Sequence, residues 1–505
     1  MPLVLVALAL AAPPVRAQDA EGAAVARWVE ANRAELVDRL VEFLRIPNVA
    51  GDRPAIRRNV DWLVSAMEAR GIRTRVLETD SEPMVYGELP APGARTTLLF
   101  YCHYDGQPAD PAAWTGHAPW DPVLRDGSLA DGAGVIPWPA DGGYRDDWRV
   151  YGRSASDDKS PIVMLLSALD ALRAAGTPPD VNLKFLFEGN EEAGSPHMRS
   201  LIAGHGDLLR ADLVVMADGP EHGSGRPTLV YGARGIVTTR LIVYGPERPL
   251  HSGHFGNWAP NPAMRLAALL ASMKDRDGRV LVEGFYDDVA PLSDAERAAL
   301  RAVPADAPTD YGFAAPEGWA GRLRLEATSL PSLNVRGMGA GWIGPETRTI
   351  VPDSAVAEID LRLVPDIEPG AQVARLRRHV ERQGYHLAAG PPTAHERASH
   401  PRLARLVDLR DGYPGMRTPM DHPVARRIAR GVGRFTGAEP VHVPMLGGSV
   451  PAVWFPVEAG TPVLLVPTVN PDNNQHSPNE NLRLGHFFDG IVTLAAVMRI
   501  GRPSS

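Results

Sequence analysis

The sequence predicts an α/β protein: a doubly wound mixed sheet forms the main domain, and a smaller α+β unit is inserted into it. Three observations carry that reading. Short apolar runs of strand character at 97–102, 181–187, 213–216 and 463–466 each lead into acidic or imidazole residues. A helical stretch from Pro161 to Ala174, between the first two runs, supplies the crossover that a parallel sheet needs. The middle of the chain then reads as strands and helices in another order, after which residues of the first pattern resume.

Taken in order, Leu3 to Ala12 is an apolar run followed by Pro13-Pro14 and by Val15-Arg16-Ala17, a small-x-small-like cleavage site. Residues 1–17 are therefore expected to be a signal peptide, cut before Gln18, although a positive n-region is missing and a disordered tail is the alternative. The mature chain would be secreted or periplasmic, or cytoplasmic if the segment is no signal. Leu36, Val37, Leu40, Val41 and Leu44 follow a helical face that Pro47 stops. In the middle region, 236–243 and 356–364 read as strands. Asn261-Pro262 starts a helix reaching about Lys274, Ser293-Asp294-Ala295-Glu296 is a capping box, and 370–383 is a further helix. The expected domains are 18–231, the insertion 232–394, and 395–505.

Composition narrows the class. A hydrophobic fraction of 44% can fill proper cores, and 49 Gly and 48 Pro without a repeat period suit a loop-rich enzyme rather than a fibre. The formal charge of −8 argues against a nucleic-acid partner, and no run beyond the N-terminus is long enough for a membrane span. Cys102 is the single cysteine, so no intramolecular disulfide can form.

In open α/β sheets ligands collect beyond the carboxyl ends of strands. The strand endings here gather His103, Asp105, Asp157, Asp158, Glu191, Glu192, Asp218 and His476. Singly, each is more often a solvated charge or a satisfied core residue than a ligand. Together, crowded carboxylates repel one another unless cations neutralise them. Divalent metal is the simplest neutraliser: a pair of ions needs one bridging carboxylate and about two more ligands each, with positions left for water. Mixed imidazole and carboxylate donors favour zinc, with manganese or cobalt next. Of two adjacent glutamates, one can bind metal while the other stays free as a base; Glu191 and Glu192 fit that division.

The segments Tyr101-Cys102-His103-Tyr104-Asp105-Gly106, Tyr151 to Lys159 and Glu188 to Ser195 resemble the M20 metallopeptidases, especially the carnosine dipeptidase-like branch. So do Leu250-His251-Ser252-Gly253, Leu361 to Pro365, Gly447 to Pro451 and His476-Ser477-Pro478-Asn479-Glu480, in the family's order. The resemblance implies a zinc-peptidase-like catalytic domain with a lid and dimerisation domain inserted. It implies that His103, Asp157 and Asp218 hold one metal, that Asp157, Glu192 and His476 hold the other, and that Asp105 braces His103. It also implies a cis peptide between Asp157 and Asp158.

The implied reaction is hydrolysis of a dipeptide or short-peptide amide by a metal-bridged water, with Glu191 as general base and then acid. His251 would supply an oxyanion donor to the partner's site in a homodimer. Arg362 would clamp a substrate carboxylate, with Gly448 and Ser449 of the Gly447 turn, and Asn334 would also face the substrate.

Asp218 favours dipeptides, because the family places Asp there in dipeptidase and aminopeptidase members. N-acyl amino acid deacylation is the alternative. A non-catalytic binding protein would show substitutions among these residues, and none is found. No Gly-x-Ser-x-Gly elbow and no phosphate loop compete. The stretch Asp110 to Asp147 is longer than the family's pattern and carries Trp114, Trp120 and Trp138, with Trp148 just beyond. It is expected to be an ordered loop bearing on selectivity.

Overall fold

The computed structural model describes residues 18–139, 143–303, 312–318 and 324–501; the expected signal segment, 1–17, lies outside them. The chain forms two compact units. The first holds the described residues up to Leu229 together with Asp421–Val441 and the chain from Leu464; the second holds Val230–Met420 and His442–Val463.

The first unit is built on an eight-stranded sheet in the order Arg73–Leu77, Met84–Leu89, Asn182–Glu188, Thr97–His103, Leu213–Met216, Val463–Leu465, Thr228–Val230, Val441–Val443. Thr97–His103 pairs in parallel with Asn182–Glu188 on one side and Leu213–Met216 on the other, while the first two strands are antiparallel, so the sheet is mixed. Leu98 to Cys102 and Leu213 to Met216 are fully buried, which requires cover on both pleat faces, as in doubly wound sheets. The crossover helix is Lys159–Ala174, buried along most of its length and packed on the C-terminal helix Leu484–Val497. The helix expected before Pro47 is Arg33–Leu44, preceded by a helix Ala20–Ala31, and Leu36, Val37, Leu40, Val41 and Leu44 lie on its buried face.

The described part of the stretch after Asp110 carries regular structure. Val123–Arg125 and Val135–Ile136 join Arg149–Tyr151 and Asn481–Arg483 in a four-stranded sheet. Trp114 is buried with the Arg153 guanidinium over its ring, and Trp120 donates to Asn48 Oδ1 at 3.0 Å.

The second unit is an α+β structure. Its five-stranded sheet runs Ser332–Ala340, Ser354–Leu363, Gly235–Tyr244, Leu403–Tyr413, His386–Leu387. Helices Pro262–Ala271 and Pro369–Arg382 pack on it over a core that includes Leu241, Leu266, Ile359, Leu361 and Val380. Asn261 caps the first of these by accepting from Ala263 N at 2.9 Å, an interaction type worth about 1 kcal/mol. Ser293 and Glu296 form the reciprocal capping box.

The unit boundary differs from the sequence expectation at 394/395. The second unit continues to Met420 because Leu403–Tyr413 pairs antiparallel along Gly235–Tyr244, and it takes up 442–463 as well. A strand's local pattern announces that it is a strand, not which sheet it joins. Among the described residues no helix is long and apolar enough to cross a membrane.

Candidate metal centre

Strand Thr97–His103 delivers His103 opposite Glu188 of its parallel neighbour. Asp105, Glu191, Glu192 and Asp218 follow strands of this sheet, whereas Asp157 and Asp158 follow Arg149–Tyr151 of the four-stranded sheet, just before the helix Lys159–Ala174. The peptide bond between Asp157 and Asp158 is cis. Asp157 stands between two imidazoles: its Oδ1 is 2.8 Å from His103 Nε2 and its Oδ2 is 3.0 Å from His476 Nε2. His476 Nε2 is also 3.2 Å from Glu192 Oε2. Burial, which pushes the Asp157 carboxyl up, is outweighed by the hydrogen bonds to His103 and His476, and the group is held far below the usual carboxylate range.

Ligand-type side chains form two groups, Asp157, Glu192 and His476 in one and His103, Asp158 and Asp218 in the other, and within each group the ligand atoms all lie within 4.8 Å of one another. All five expected ligands are therefore brought together, with Asp158 as an additional member beside His103 and Asp218. Asp158 Oδ2 accepts the backbone N–H of His103 at 3.2 Å, whereas its buried Oδ1 has no hydrogen-bond partner among the described residues. Burial pushes Asp158 up, and burial reinforced by Asp157 pushes Asp218 up to about 7. Each uncompensated buried charge costs several kcal/mol, so this crowding calls for cations. Oxygen and imidazole donors without thiolate, and a buried carboxylate oxygen with no donor, fit a pair of divalent ions.

Asp105 is fully buried. Its backbone oxygen is 3.2 Å from His103 Nδ1 and its Oδ1 3.4 Å from the same nitrogen, so the brace on the imidazole is shared between carbonyl and carboxylate. The carboxylate also accepts the backbone N–H groups of Glu191 and Glu192, both at 3.1 Å. Burial raises the Glu191 carboxyl well above its ordinary value. Two amides that sequence reasoning missed complete the centre: Gln475 donates to Asp157 Oδ2 at 2.9 Å and Gln107 to Glu192 Oε2 at 2.8 Å. Their only signal was adjacency, one next to His476 and the other two residues past Asp105.

All of these residues belong to the first unit, while His251, Asn334, Arg362, Gly448 and Ser449 belong to the second. Arg362 donates to Ser449 Oγ at 2.8 Å, and its Nε is 3.5 Å from Asp360 Oδ2. Asn334 lies opposite Asp360 in the sheet and donates to its Oδ1 at 2.9 Å. Arg234, which the sequence reading passed over, holds the Gly447 turn: its Nε donates to Gly447 O at 2.9 Å and its backbone N–H to Gly448 O at 3.1 Å. His251 is exposed, and its Nδ1 accepts the Gly253 N–H at 3.1 Å. A neutral His251 ring therefore carries its proton on Nε2.

Imidazoles and carboxylates gathered in two neighbouring sets beside a mixed α/β sheet make a candidate centre for divalent metal. The sequence model of peptidase family M20/M25/M40 matches residues 99–500, and the chain belongs to that family and is a peptidase. The Cys-Gly metallodipeptidase DUG1 of Candida albicans is 27% identical over 506 residues, covering 93% of this chain and 95% of its own. The human Beta-Ala-His dipeptidase is 28% identical over 426 residues, covering 82% and 76%. Among solved structures, the M20 family metallo-carboxypeptidase Sso-CP2 from Sulfolobus solfataricus superposes with a TM-score of 0.74 at 27% identity, over 92% of this chain and 99% of that one. The M20 resemblance carried by the motifs thus holds.

Proposed function

We propose that this peptidase hydrolyses the amide bond of dipeptides with two divalent ions, zinc by preference, held by His103, Asp157, Glu192, Asp218 and His476, with Asp158 beside them. The observation that carries the proposal is the Asp157 carboxylate placed between His103 and His476, one oxygen to each. When bound there, the ions polarise a carbonyl and make water easier to deprotonate.

The protein's own groups do the rest. Glu191 takes the proton of the attacking water and passes it to the leaving amine, and Asp105 fixes the backbone that presents Glu191. The Nε2–H of His251 serves the developing oxyanion. Arg362, steadied by Ser449 and Asp360, meets the substrate carboxylate together with the Gly448 turn and Asn334.

We propose a homodimer in which His251 serves the partner's site. Support comes from the outer strand of the second unit's sheet, Ser332–Ala340, where Val335 and Met338 are exposed and are followed by exposed Trp342 and Ile343, the last 81% accessible. An open edge with apolar residues invites pairing. Cleavage before Gln18 and export are proposed from the N-terminal pattern; sequencing the N-terminus of protein recovered outside the cytoplasm tests them.

The deciding experiment assays β-Ala-His, Cys-Gly and a dipeptide panel beside N-acyl amino acids, before and after chelation and with zinc or manganese restored. Dipeptide cleavage lost to chelator and regained with metal is expected. Efficient deacylation with no dipeptide cleavage overturns the substrate assignment, and activity indifferent to chelator overturns the metal assignment.

A further inference from the structure

Glu480 closes the last motif, His476 to Glu480, and nothing in the reaction described above uses it. It is completely buried, and its carboxylate accepts hydrogen bonds from the turn Arg153 to Asp157. Oε1 accepts from Ser156 N at 2.9 Å, Ser156 Oγ at 3.0 Å and Asp157 N at 3.0 Å. Oε2 accepts from Ser154 N at 2.9 Å and Arg153 Nη1 at 2.8 Å. A buried charge costs several kcal/mol unless it is paired and hydrogen-bonded, and here both oxygens are filled. The contacts converge on the turn that presents Asp157.

The other end of the connection is the turn that presents His476. Asn474, His476 and Asn479 all have φ near +60°, a left-handed region uncommon for non-glycine residues but one that Asn and His enter more readily than most. Immediately after Glu480, Asn481–Arg483 pairs antiparallel with Arg149–Tyr151, and Glu480 O accepts from Gly152 N at 3.0 Å. Backbone and side chain of Glu480 therefore tie the His476 turn to the Asp157 turn across 323 positions of sequence.

We infer that Glu480 is a positioning residue: it fixes the separation of Asp157 and His476, and so the affinity for the ion that those two residues share with Glu192. The inference rests on the dinuclear reading above. All five hydrogen bonds to the carboxylate come from donors, so the Glu480→Gln amide must turn an NH2 toward donors and lose at least two of the five bonds while keeping its volume.

The test titrates the metal-free full-length protein with zinc alone, calorimetrically, and follows melting of the metal-free state. Wild type is expected to take two ions. Glu480→Gln is expected to bind one of them about 10- to 100-fold more weakly, the range for groups that orient ligands, with kcat reduced and KM nearly unchanged. Should that variant fail to fold, Ser156→Ala removes only one hydrogen bond and is expected to weaken the same ion by roughly 2- to 10-fold. Wild-type zinc affinity in the folded variants, with only a lower melting temperature, overturns the positioning role and leaves the dinuclear reading standing. Failure of the wild type to bind zinc overturns both.

Discussion

The Asp105 carboxylate spans two consecutive backbone amides: its Oδ1 accepts the Glu191 N–H and its Oδ2 the Glu192 N–H, each at 3.1 Å. A single side chain thereby fixes the relative placement of the proposed base and a proposed ligand, besides contacting His103. Asp105→Asn replaces one acceptor by a donor and releases one amide. Activity is expected to fall by about 10- to 100-fold, with some loss of metal affinity. Steady-state kinetics together with bound-metal analysis check this; unchanged kinetics would show that the loop keeps its place without the carboxylate.

Glu191→Gln keeps the shape of the side chain and removes its basicity. It should retain both metals and lose about two to four orders of magnitude in kcat. Metal content and turnover are measured on the same preparation, and a fully active variant ends the assignment of Glu191 as base.

His251 presents an exposed ring whose Nδ1 is already occupied by Gly253. If it completes the partner's site, neither His251→Ala nor Glu191→Ala homodimers are active. Refolding or exchanging the two variants together should then restore part of the activity, because one site of each hybrid is intact. No recovery in demonstrated heterodimers would place His251 in its own subunit's site or outside catalysis.

The turn leading to His476 is anchored by an ion pair, Arg149 Nη2 to Asp472 Oδ2 at 2.6 Å. Burial pushes the Asp472 carboxyl up, but hydrogen bonds from Arg149 and Asn470 win and bring it down from 3.8 to about 2. The sign follows from linkage: a depressed carboxylate contributes stability above its unfolded value and loses it as pH falls through the folded one. The difference in melting temperature between wild type and Asp472→Asn should be constant from neutrality to about pH 4 and shrink between pH 4 and pH 2. Half of the Asp472 side chain is exposed, so the effect is expected to be modest and reduced by salt. A difference that grows on acidification would contradict the ion-pair account.

Much of the centre was legible because its chemistry is written in residue types. His103, Asp157, Glu192, Asp218 and His476 stand out as carboxylates and imidazoles at the ends of apolar runs, and the structure gathers all five. Asp158 was visible as part of the acidic set but not as a neighbour of His103 and Asp218, since adjacency to Asp157 says nothing about where its oxygens point. Gln107, Gln475 and Arg234 carry no local pattern of their own, and Glu480 was visible only as the end of the last motif. Their roles arise from contacts with residues far away in sequence, as with Arg234 on the Gly447 turn.

The amino-acid sequence by itself determined the alternation of strand and helix, the donor set for metal and the family to which those motifs belong, because hydrophobic period, capping and side-chain chemistry are properties of short segments. Tertiary structure alone decided that Leu403–Tyr413 joins the second unit's sheet rather than the first, and that Glu480 secures the turn of Asp157. Strand partners and buried hydrogen bonds are chosen by the free energy of whole packed units, in which residues hundreds of positions apart must satisfy one another at once.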